Sequence, residues 1–107
     1  MSDRRLRDLT DEQLILEFQE TNDTELFEAI VSRYKNPLFN FVFRFLGDRD
    51  ATSDVVQETF IKVYRNKDSY KTFAKFSTWI YTIAGNLAKT ELQRRKRKNQ
   101  ISINSWG

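Results

Sequence analysis

The sequence contains no cysteine and no histidine, and both absences narrow the functions open to it. Without cysteine the chain has no disulfide framework, no thiolate nucleophile and no cysteine-ligated zinc site. Without histidine it lacks the commonest general base and metal ligand of proteins. It also has no glycine-rich phosphate loop. We therefore expect no catalytic residue, no metal and no cofactor, and an enzyme is the least favoured class.

Glycine and proline are scarce, and long apolar runs are missing. Three glycines and one proline in 107 residues predict few turns and mostly helix. The apolar content of 39%, with nine phenylalanines, can form the core of one domain. The first twenty residues are charged throughout, unlike a signal peptide, and no segment is long and apolar enough to span a membrane. A cytoplasmic protein without membrane insertion is expected.

The net charge of +3 conceals an asymmetry between the two parts of the chain. Residues 1–60 contain 13 acidic and 7 basic side chains, whereas residues 61–107 contain 2 acidic and 11 basic ones. This division indicates two surfaces for two different partners. Charge runs that are only solvated faces explain it equally well.

Hydrophobic periodicity predicts an all-α bundle of three long helices plus a short N-terminal helix. The short helix follows a capping box of Thr10 and Gln13. The second helix keeps its apolar phase across Pro37, so one kinked helix ending before Gly47 is expected. Its inward face is predicted to be Phe27, Ile30, Val31, Tyr34, Leu38, Phe41, Val42 and Phe45. The apolar residues predicted off that face are Phe39, Phe43 and Leu46.

The third and fourth helices carry the functional patterns. Asp50 or Thr52 is the expected cap of the third helix, whose apolar face is predicted to be Val55, Val56, Phe60, Val63 and Tyr64. The fourth is predicted over residues 75–97, with Ser77 or Thr78 as its cap, an apolar front half and a basic end. A helix of this kind holds cations rigidly toward an anionic partner, and nucleic acid is the first candidate. Its apolar face is predicted to be Phe76, Ile80, Ile83 and Leu87, with Trp79, Ala84 and Ala88 beside them.

Several motifs stand in one order along most of the chain. They are a DEQL opening, an F-x-x-I-x-x-x-Y stretch, an LGDRD turn, DVVQETFIKVYR over residues 54–65 and FSTWIYTIAGNLAKTELQRRKR over residues 76–97. In this order they resemble region 2 of bacterial RNA polymerase sigma factors, most closely the small extracytoplasmic-function (ECF) class. The resemblance covers roughly residues 10–97. It implies a transcription initiation factor that binds core polymerase and recognises the promoter −10 element.

The resemblance implies that the third helix docks on the coiled coil of the β′ subunit, the largest of core RNA polymerase. Acidic and amide acceptors beside an apolar anchor suit a basic amphipathic helix. A purely structural alternative is a first-turn acid at Asp54 and a pair between Glu58 and Lys62. The docking residues implied by the resemblance are Asp54, Gln57, Glu58, Phe60, Ile61 and Tyr64.

The resemblance also assigns promoter DNA to the loop before the fourth helix and to that helix. In this family the loop takes a flipped base, and the candidates here are Tyr70, Lys71, Phe73, Lys75, Ser77 and Thr78. Aromatic loop residues packed into the core are the alternative. The matching residues for the duplex edge of the element are Asn86, Lys89, Thr90, Gln93, Arg94 and Arg97. Further phosphate contacts are expected from Arg95, Lys96 and Lys98.

The sequence departs from the wider family in two respects. Thr82 and Ile83 stand where housekeeping sigma factors carry an aromatic pair that opens the duplex. The resemblance also implies a −35-reading domain, which we do not find in the sequence. We expect a flexible N-terminus over residues 1–9, the region 2 domain over 10–98 and the start of an interdomain linker over 99–107. Either the chain is a piece of a longer protein, which the open-looking tail favours, or it is a region 2 domain that exists alone. The alternatives are a protein-interaction module bound by an anti-sigma-type inhibitor, with the surplus of Phe39, Phe43 and Leu46 as its contact, and a generic basic DNA-binding helix.

Overall fold

The computed structural model describes the backbone of residues 5–106 and the side chains of residues 5–98, which form four α-helices. They are α1 (Asp11–Thr21), α2 (Thr24–Leu46), α3 (Arg49–Arg65) and α4 (Phe76–Trp106). Single turns of 3-10 helix lie at Leu6–Asp8 and Lys67–Ser69. α2 packs against the other three helices, and α4 also packs against α3. The predicted all-α bundle of three long helices and a short N-terminal one is confirmed.

Both ends of α1 follow local sequence signals. The Thr10 hydroxyl accepts from the Gln13 amide at 3.0 Å, and the Gln13 side chain accepts from the Thr10 amide at 2.8 Å, which is the predicted capping box. Asn22 ends the helix in the left-handed conformation, and Asp23 caps α2. The buried face of α1 comprises Leu14, Ile15 and Phe18.

The segment before α1 is bonded to α2. Arg33 donates to the carbonyl oxygens of Leu6, Arg7 and Leu9 and forms a 2.8 Å ion pair with Asp11. The Tyr34 hydroxyl donates to the other oxygen of Asp11. Long-range hydrogen bonds therefore hold the segment of residues 6–9, although the sequence predicts flexibility over residues 1–9. Residues 1–4 lie outside the described part of the chain.

The core face of α2 is shifted from the predicted one. Leu46 is buried, and so are the α2 residues that precede it at intervals of four. Phe27, Phe41 and Phe45 are only half-buried and lie at the edges of this core face. The displaced aromatic rings pack against one another and against rings of α1, α3 and α4. α2 continues through Pro37, so the prediction of a single helix is confirmed. Its fully packed face consists of Leu26, Ile30, Tyr34, Leu38, Val42 and Leu46.

The predicted cap of α3 was wrong by two to four residues. Asp48 is the N-cap, and its carboxylate accepts from the Asp50 amide at 3.1 Å. Thr52 is instead buried, with its hydroxyl donating to the Asp48 carbonyl oxygen. Gly47 closes α2 at φ 66°, so α2 and α3 are joined by only two residues. The buried face of α3 includes Val55, Val56, Thr59, Phe60 and Val63.

α4 begins at Phe76, so Ser77 and Thr78 lie within it and cap nothing. A carboxylate from α1 replaces the expected local cap: Glu12 Oε2 accepts from the Phe76 amide at 2.8 Å. The core line of α4 is Phe76, Ile80, Ala84 and Ala88, while Ile83 and Leu87 are only half-buried. The helical backbone continues to Trp106, where the sequence shows no periodicity. The side chains of the expected linker, residues 99–107, lie outside the described ones. None of the described helices combines the length and apolar character that crossing a membrane requires.

Gly85 provides a test of packing between α4 and α2. A Cβ placed on Gly85 would lie 3.8 Å from Phe41 Cζ, an ordinary van der Waals distance. Because glycine destabilises a helix interior relative to alanine, we expect Gly85→Ala to raise the free energy of unfolding by about 0.5–1 kcal/mol. Urea denaturation measures the change. Gly47→Ala is the control of opposite sign, since φ at Gly47 is 66°. A loss of stability in Gly85→Ala would contradict the conclusion that a Cβ fits between α4 and Phe41.

Candidate partner and nucleic-acid interfaces

The predicted DNA-contacting residues of α4 form one exposed line on the helix. We define the α4 stripe as Asn86, Lys89, Thr90, Gln93 and Arg97, all exposed and placed at positions i, i+3, i+4, i+7 and i+11 of one helix face. The Thr90 hydroxyl donates to the backbone carbonyl oxygen of Asn86 at 3.0 Å, so this hydrogen bond does not occupy the Asn86 side-chain amide. Toward the N-terminus, exposed Thr82 and Thr78 extend the line by two more turns. The stripe therefore presents polar and cationic groups along one rigid face.

Arg94 borders the α4 stripe and is already paired. Its guanidinium forms a 2.7 Å ion pair with Glu91 Oε2 while 61% of the side chain stays exposed. The hydrogen bond from Arg94 lowers the pKa of the Glu91 carboxyl. Because an exposed pair of this kind contributes little stability, Arg94 can turn toward an anionic ligand at small cost.

Arg95 is bound within the protein, which corrects its assignment as a phosphate contact. It pairs with Asp48 at 2.7 Å and with Glu91 at 3.2 Å, and it also donates to the Leu46 carbonyl oxygen at 3.4 Å. These bonds fix α4 to the corner between α2 and α3. The adjoining cleft of about 310 Å³ is also lined by Asp54 and Glu58. Over residues 5–98, however, no ion pair joins either of these two to Arg94 or Arg95, so the acidic and basic flanks do not neutralise each other.

The Asp48–Arg95 pair predicts a pH dependence of stability. The hydrogen bond from Arg95 lowers the pKa of Asp48. A carboxyl with a lower pKa in the folded state stabilises the fold above its unfolded pKa, about 3.9, and this contribution is lost as the pH falls. Asp48→Asn keeps a good N-cap but removes the charge. We therefore expect its melting temperature to fall less steeply than that of the wild type between about pH 5 and pH 2. Asp54→Asn is the control, and identical slopes for wild type and Asp48→Asn would contradict the coupling.

The loop before α4 separates its two aromatic side chains. Tyr70 is 2% exposed, its hydroxyl donates to the Ala74 carbonyl oxygen at 2.6 Å, and its ring packs on Phe76 and Trp79. Phe73 is 97% exposed. The inclusion of Tyr70 among residues that face a base is therefore corrected, because other rings already pack on it. Phe73 alone of this aromatic pair offers an open ring face.

The remaining loop candidates divide between surface and interior. Lys71, Lys75 and Thr78 are exposed near Phe73 in the sequence, so the loop carries two cations beside an open aromatic ring. Ser77 is half-buried and lies about 180° around α4 from Asn86, given about 100° per residue. It therefore faces away from the α4 stripe.

The outward face of α3 carries acceptors beside apolar side chains. Asp54, Gln57 and Glu58 are exposed, and Ile61 and Tyr64 are 46% and 47% exposed. This exposure corrects the placement of Tyr64 on the inward face. Among the described residues no ion pair joins Glu58 to Lys62, so the purely structural alternative for Glu58 is not formed. We call Asp54, Gln57, Glu58, Ile61 and Tyr64 the α3 face.

Phe60 lies beneath this face rather than on it. It is 8% exposed and contributes to the wall of an apolar groove of about 190 Å³ formed with Phe27, Ile61, Tyr64 and Arg65. The sequence did not identify Phe27, which contacts Tyr64 edge-on at 5.2 Å between ring centroids. The apolar surplus of α2 was the sequence signal that could have identified Phe27 as a surface residue, but helical periodicity alone placed Phe27 in the core. The α3 face thus combines an acidic patch with an aromatic groove.

Lys62 is a second residue that the sequence did not single out as a contact. With Ile83, Asn86, Leu87 and Thr90 it lines a groove of about 300 Å³ between α3 and α4. A cation therefore stands opposite two residues of the α4 stripe. Among residues 5–98, no group of three or more acidic side chains is arranged to hold a metal ion.

Known proteins resemble this chain in sequence and in structure. Residues 30–98 match the family model described as Sigma-70 region 2. The chain is 40% identical over 90 residues to the ECF RNA polymerase sigma-E factor of Haemophilus influenzae, covering 84% of this chain and 47% of that protein. It is 39% identical over 74 residues to the ECF RNA polymerase sigma factor SigW of Bacillus subtilis, covering 69% of this chain and 40% of that protein. The chain thus spans less than half the length of these curated relatives.

A solved structure has the same fold. The NMR structure of an engineered region 2 of sigmaE in complex with GTAAAA is similar to this chain, with a TM-score of 0.74 and 42% sequence identity. The similarity covers 84% of this chain and 93% of that one. The fold similarity therefore extends over nearly the whole bundle.

Proposed function

Because the chain belongs to the Sigma-70 region 2 family, we propose that it is the part of an ECF-type sigma factor that binds core RNA polymerase and recognises the promoter −10 element. The observation that carries this proposal is the α4 stripe together with the loop that precedes α4. That loop bears one open aromatic ring and two cations. A relative of the same fold forms a complex with the strand GTAAAA. Residues 10–98 would form the domain, and it would bind polymerase and promoter in the cytoplasm.

On the DNA side, three groups of residues divide the work. Phe73 offers a ring on which an unpaired base can stack, with Lys71 and Lys75 beside it for the backbone. Asn86 offers a donor and an acceptor together, which suits an adenine edge, and Lys89 donates to guanine or phosphate. The other members, Thr90, Gln93, Arg94 and Arg97, extend this surface, and the exposed cations among them set the salt dependence.

Titration with single-stranded GTAAAA and with a scrambled AAGATA across a range of salt tests the DNA side. We expect tighter binding of GTAAAA at every salt concentration, with both affinities falling as salt rises. Equal affinities for the two strands would reduce the domain to a generic basic helix and overturn the proposal.

Asn86 should carry sequence preference rather than general affinity. We expect Asn86→Ala to lose about 1–3 kcal/mol of discrimination at one base pair of the −10 element. Its salt slope should not change, because no charge is removed. The measurement is a set of competition titrations with singly substituted promoter fragments. Lys96→Ala, exposed outside the stripe, is the control. An unchanged base preference in Asn86→Ala would contradict base readout at this position.

On the polymerase side, we assign the α3 face to the coiled coil of the β′ subunit. Its acceptors, Asp54, Gln57 and Glu58, are exposed and unpaired within residues 5–98, so they are available to a basic helix. Ile61 and Tyr64 supply the apolar anchor at the groove that Phe27 and Phe60 line. The two partners then occupy neighbouring helices of one small bundle.

An inhibitory partner of the anti-sigma type is a second candidate, supported by one feature of α2. Phe39 and Phe43 stack at 6.1 Å with Phe43 38% exposed, and the Arg49 guanidinium lies 5.8 Å from the centroid of Phe39. Leu46 does not contribute because it is buried. A variant Phe43→Ser that escapes an anti-sigma factor yet still binds core polymerase would support this role. Retained inhibition would remove it.

A further inference from the structure

One side chain of α1 holds the beginning of the DNA-facing loop. Gln19 Nε2 donates to the Lys67 carbonyl oxygen at 2.7 Å and to the Tyr70 carbonyl oxygen at 3.1 Å. Lys67 begins the 3-10 turn Lys67–Ser69 and Tyr70 follows it, so a single side-chain amide binds both ends of that turn. Gln19 is half-buried, which limits competition from water for these bonds.

A second side chain of α1 holds the end of the same loop. Glu12 Oε2 accepts from the Phe76 amide at 2.8 Å, one of the amides that the first turn of α4 leaves without a helical partner. Glu12 and Gln19 are seven residues apart, which places them on one face of α1 about two turns from each other. The two tethers therefore hold both ends of the loop against one rigid helix.

Between the tethers, the loop has little structure of its own. Its described internal hydrogen bonds are those from the Tyr70 hydroxyl to the Ala74 carbonyl oxygen, at 2.6 Å, and from the Ala74 amide to the Lys71 carbonyl oxygen, at 3.5 Å. Lys71, Phe73 and Lys75 are exposed on this span. Its shape consequently depends on where its ends are fixed.

We propose that Glu12 and Gln19 are positioning residues, which hold the loop of residues 71–75 in the shape that captures a base and so determine strand preference without touching DNA. This inference rests on the proposed function of the loop. A loop that adopts the competent shape only part of the time binds with its affinity reduced by that fraction. Residues of α1 thereby contribute to specificity through the loop that they hold.

The experiment uses substitutions that differ in one hydrogen-bonding property. Gln19→Met keeps the length of the side chain and removes its donors. Glu12→Ala removes the acceptor, whereas Glu12→Gln keeps an acceptor oxygen and should restore wild-type behaviour. Glu20→Ala is the matched control, because Glu20 is exposed on the same helix and has no partner within residues 5–98. Thermal unfolding confirms that each variant is folded at the temperature used.

Two readouts separate positioning from general stability. The first is amide hydrogen exchange over residues 67–76, which we expect to accelerate in Gln19→Met and, at the Phe76 amide, in Glu12→Ala. The second is the ratio of the affinities for GTAAAA and AAGATA, which we expect to fall roughly tenfold if the competent shape is occupied about a tenth of the time. The salt slope should stay at the wild-type value, because the cations of α4 are untouched.

The outcomes distinguish this inference from the proposed function. If the wild type prefers GTAAAA and folded Gln19→Met and Glu12→Ala lose the preference while Glu12→Gln and Glu20→Ala keep it, positioning is supported. If these variants keep the wild-type preference, or if loop exchange does not change, positioning is overturned while the proposed function stands. If the wild type has no preference, the proposed function fails, and the role of the tethers in strand choice fails with it.

Discussion

Replacing Phe76 by alanine is expected to lower the free energy of unfolding by about 3–5 kcal/mol. The Phe76 ring is fully buried, and its centroid lies 5.7 Å from those of Tyr34, Tyr70 and Trp79. Three elements therefore meet on this ring: α2, the loop and the first turn of α4. Truncation leaves a cavity that three large aromatic neighbours cannot easily collapse into. Chemical denaturation followed by circular dichroism measures the loss.

Phe73 is the matched control for Phe76. It lies three residues earlier, has the same side chain and is 97% exposed. We expect Phe73→Ala to change the free energy of unfolding by less than about 0.5 kcal/mol. Under the proposed function, it should weaken GTAAAA binding by about 1–3 kcal/mol through lost base stacking. A comparable loss of stability in both variants would contradict the placement of these two rings.

Replacing Ile61 by aspartate is expected to weaken binding to the β′ coiled coil by about 2–4 kcal/mol. Ile61 is 46% exposed, so the fold tolerates the charge, while the apolar groove shared with Phe27 and Tyr64 loses its anchor. The adjacent acceptors should contribute as well, and the pair Gln57→Ala with Glu58→Ala is expected to weaken docking by a smaller amount. Isothermal titration of the domain with the coiled coil measures both.

The control for docking lies on the other surface. Lys89→Ala removes a cation of the α4 stripe and should leave the affinity for the coiled coil unchanged. Wild-type affinity in Ile61→Asp, or in the Gln57 and Glu58 double variant, would remove the assignment of the α3 face. Loss of docking in Lys89→Ala would instead indicate that the two surfaces are not separate.

Much of the fold could be predicted because its signals are local. Periodic apolar residues defined each helix, and the capping box at Thr10 and the left-handed Gly47 both follow from neighbouring residues. The core phase of α2 was less predictable, since apolar residues occupy more than one face. Phe27 and Leu46 exchanged their expected roles for this reason.

The misses arose where distant parts of the chain interact. Glu12 caps α4 from 64 residues away, so no local pattern could indicate it. Arg95 reaches Asp48 across 47 residues, which turned an expected phosphate contact into a structural pair. In the loop, Tyr70 and Phe73 stand in similar polar surroundings in the sequence, and only tertiary packing separates the buried ring from the exposed one.

Under the proposed function, the unbroken course of α4 limits how a nucleic acid can run along this protein. From Asn86 to Arg97 the helix advances about 16 Å, comparable to five stacked base steps of about 3.4 Å. Small side chains at Ala84 and Ala88 lie fully buried against the bundle, so the rod cannot roll about its own axis without unpacking it. Under the proposed function, the line of α4 would set the trajectory of the bound strand.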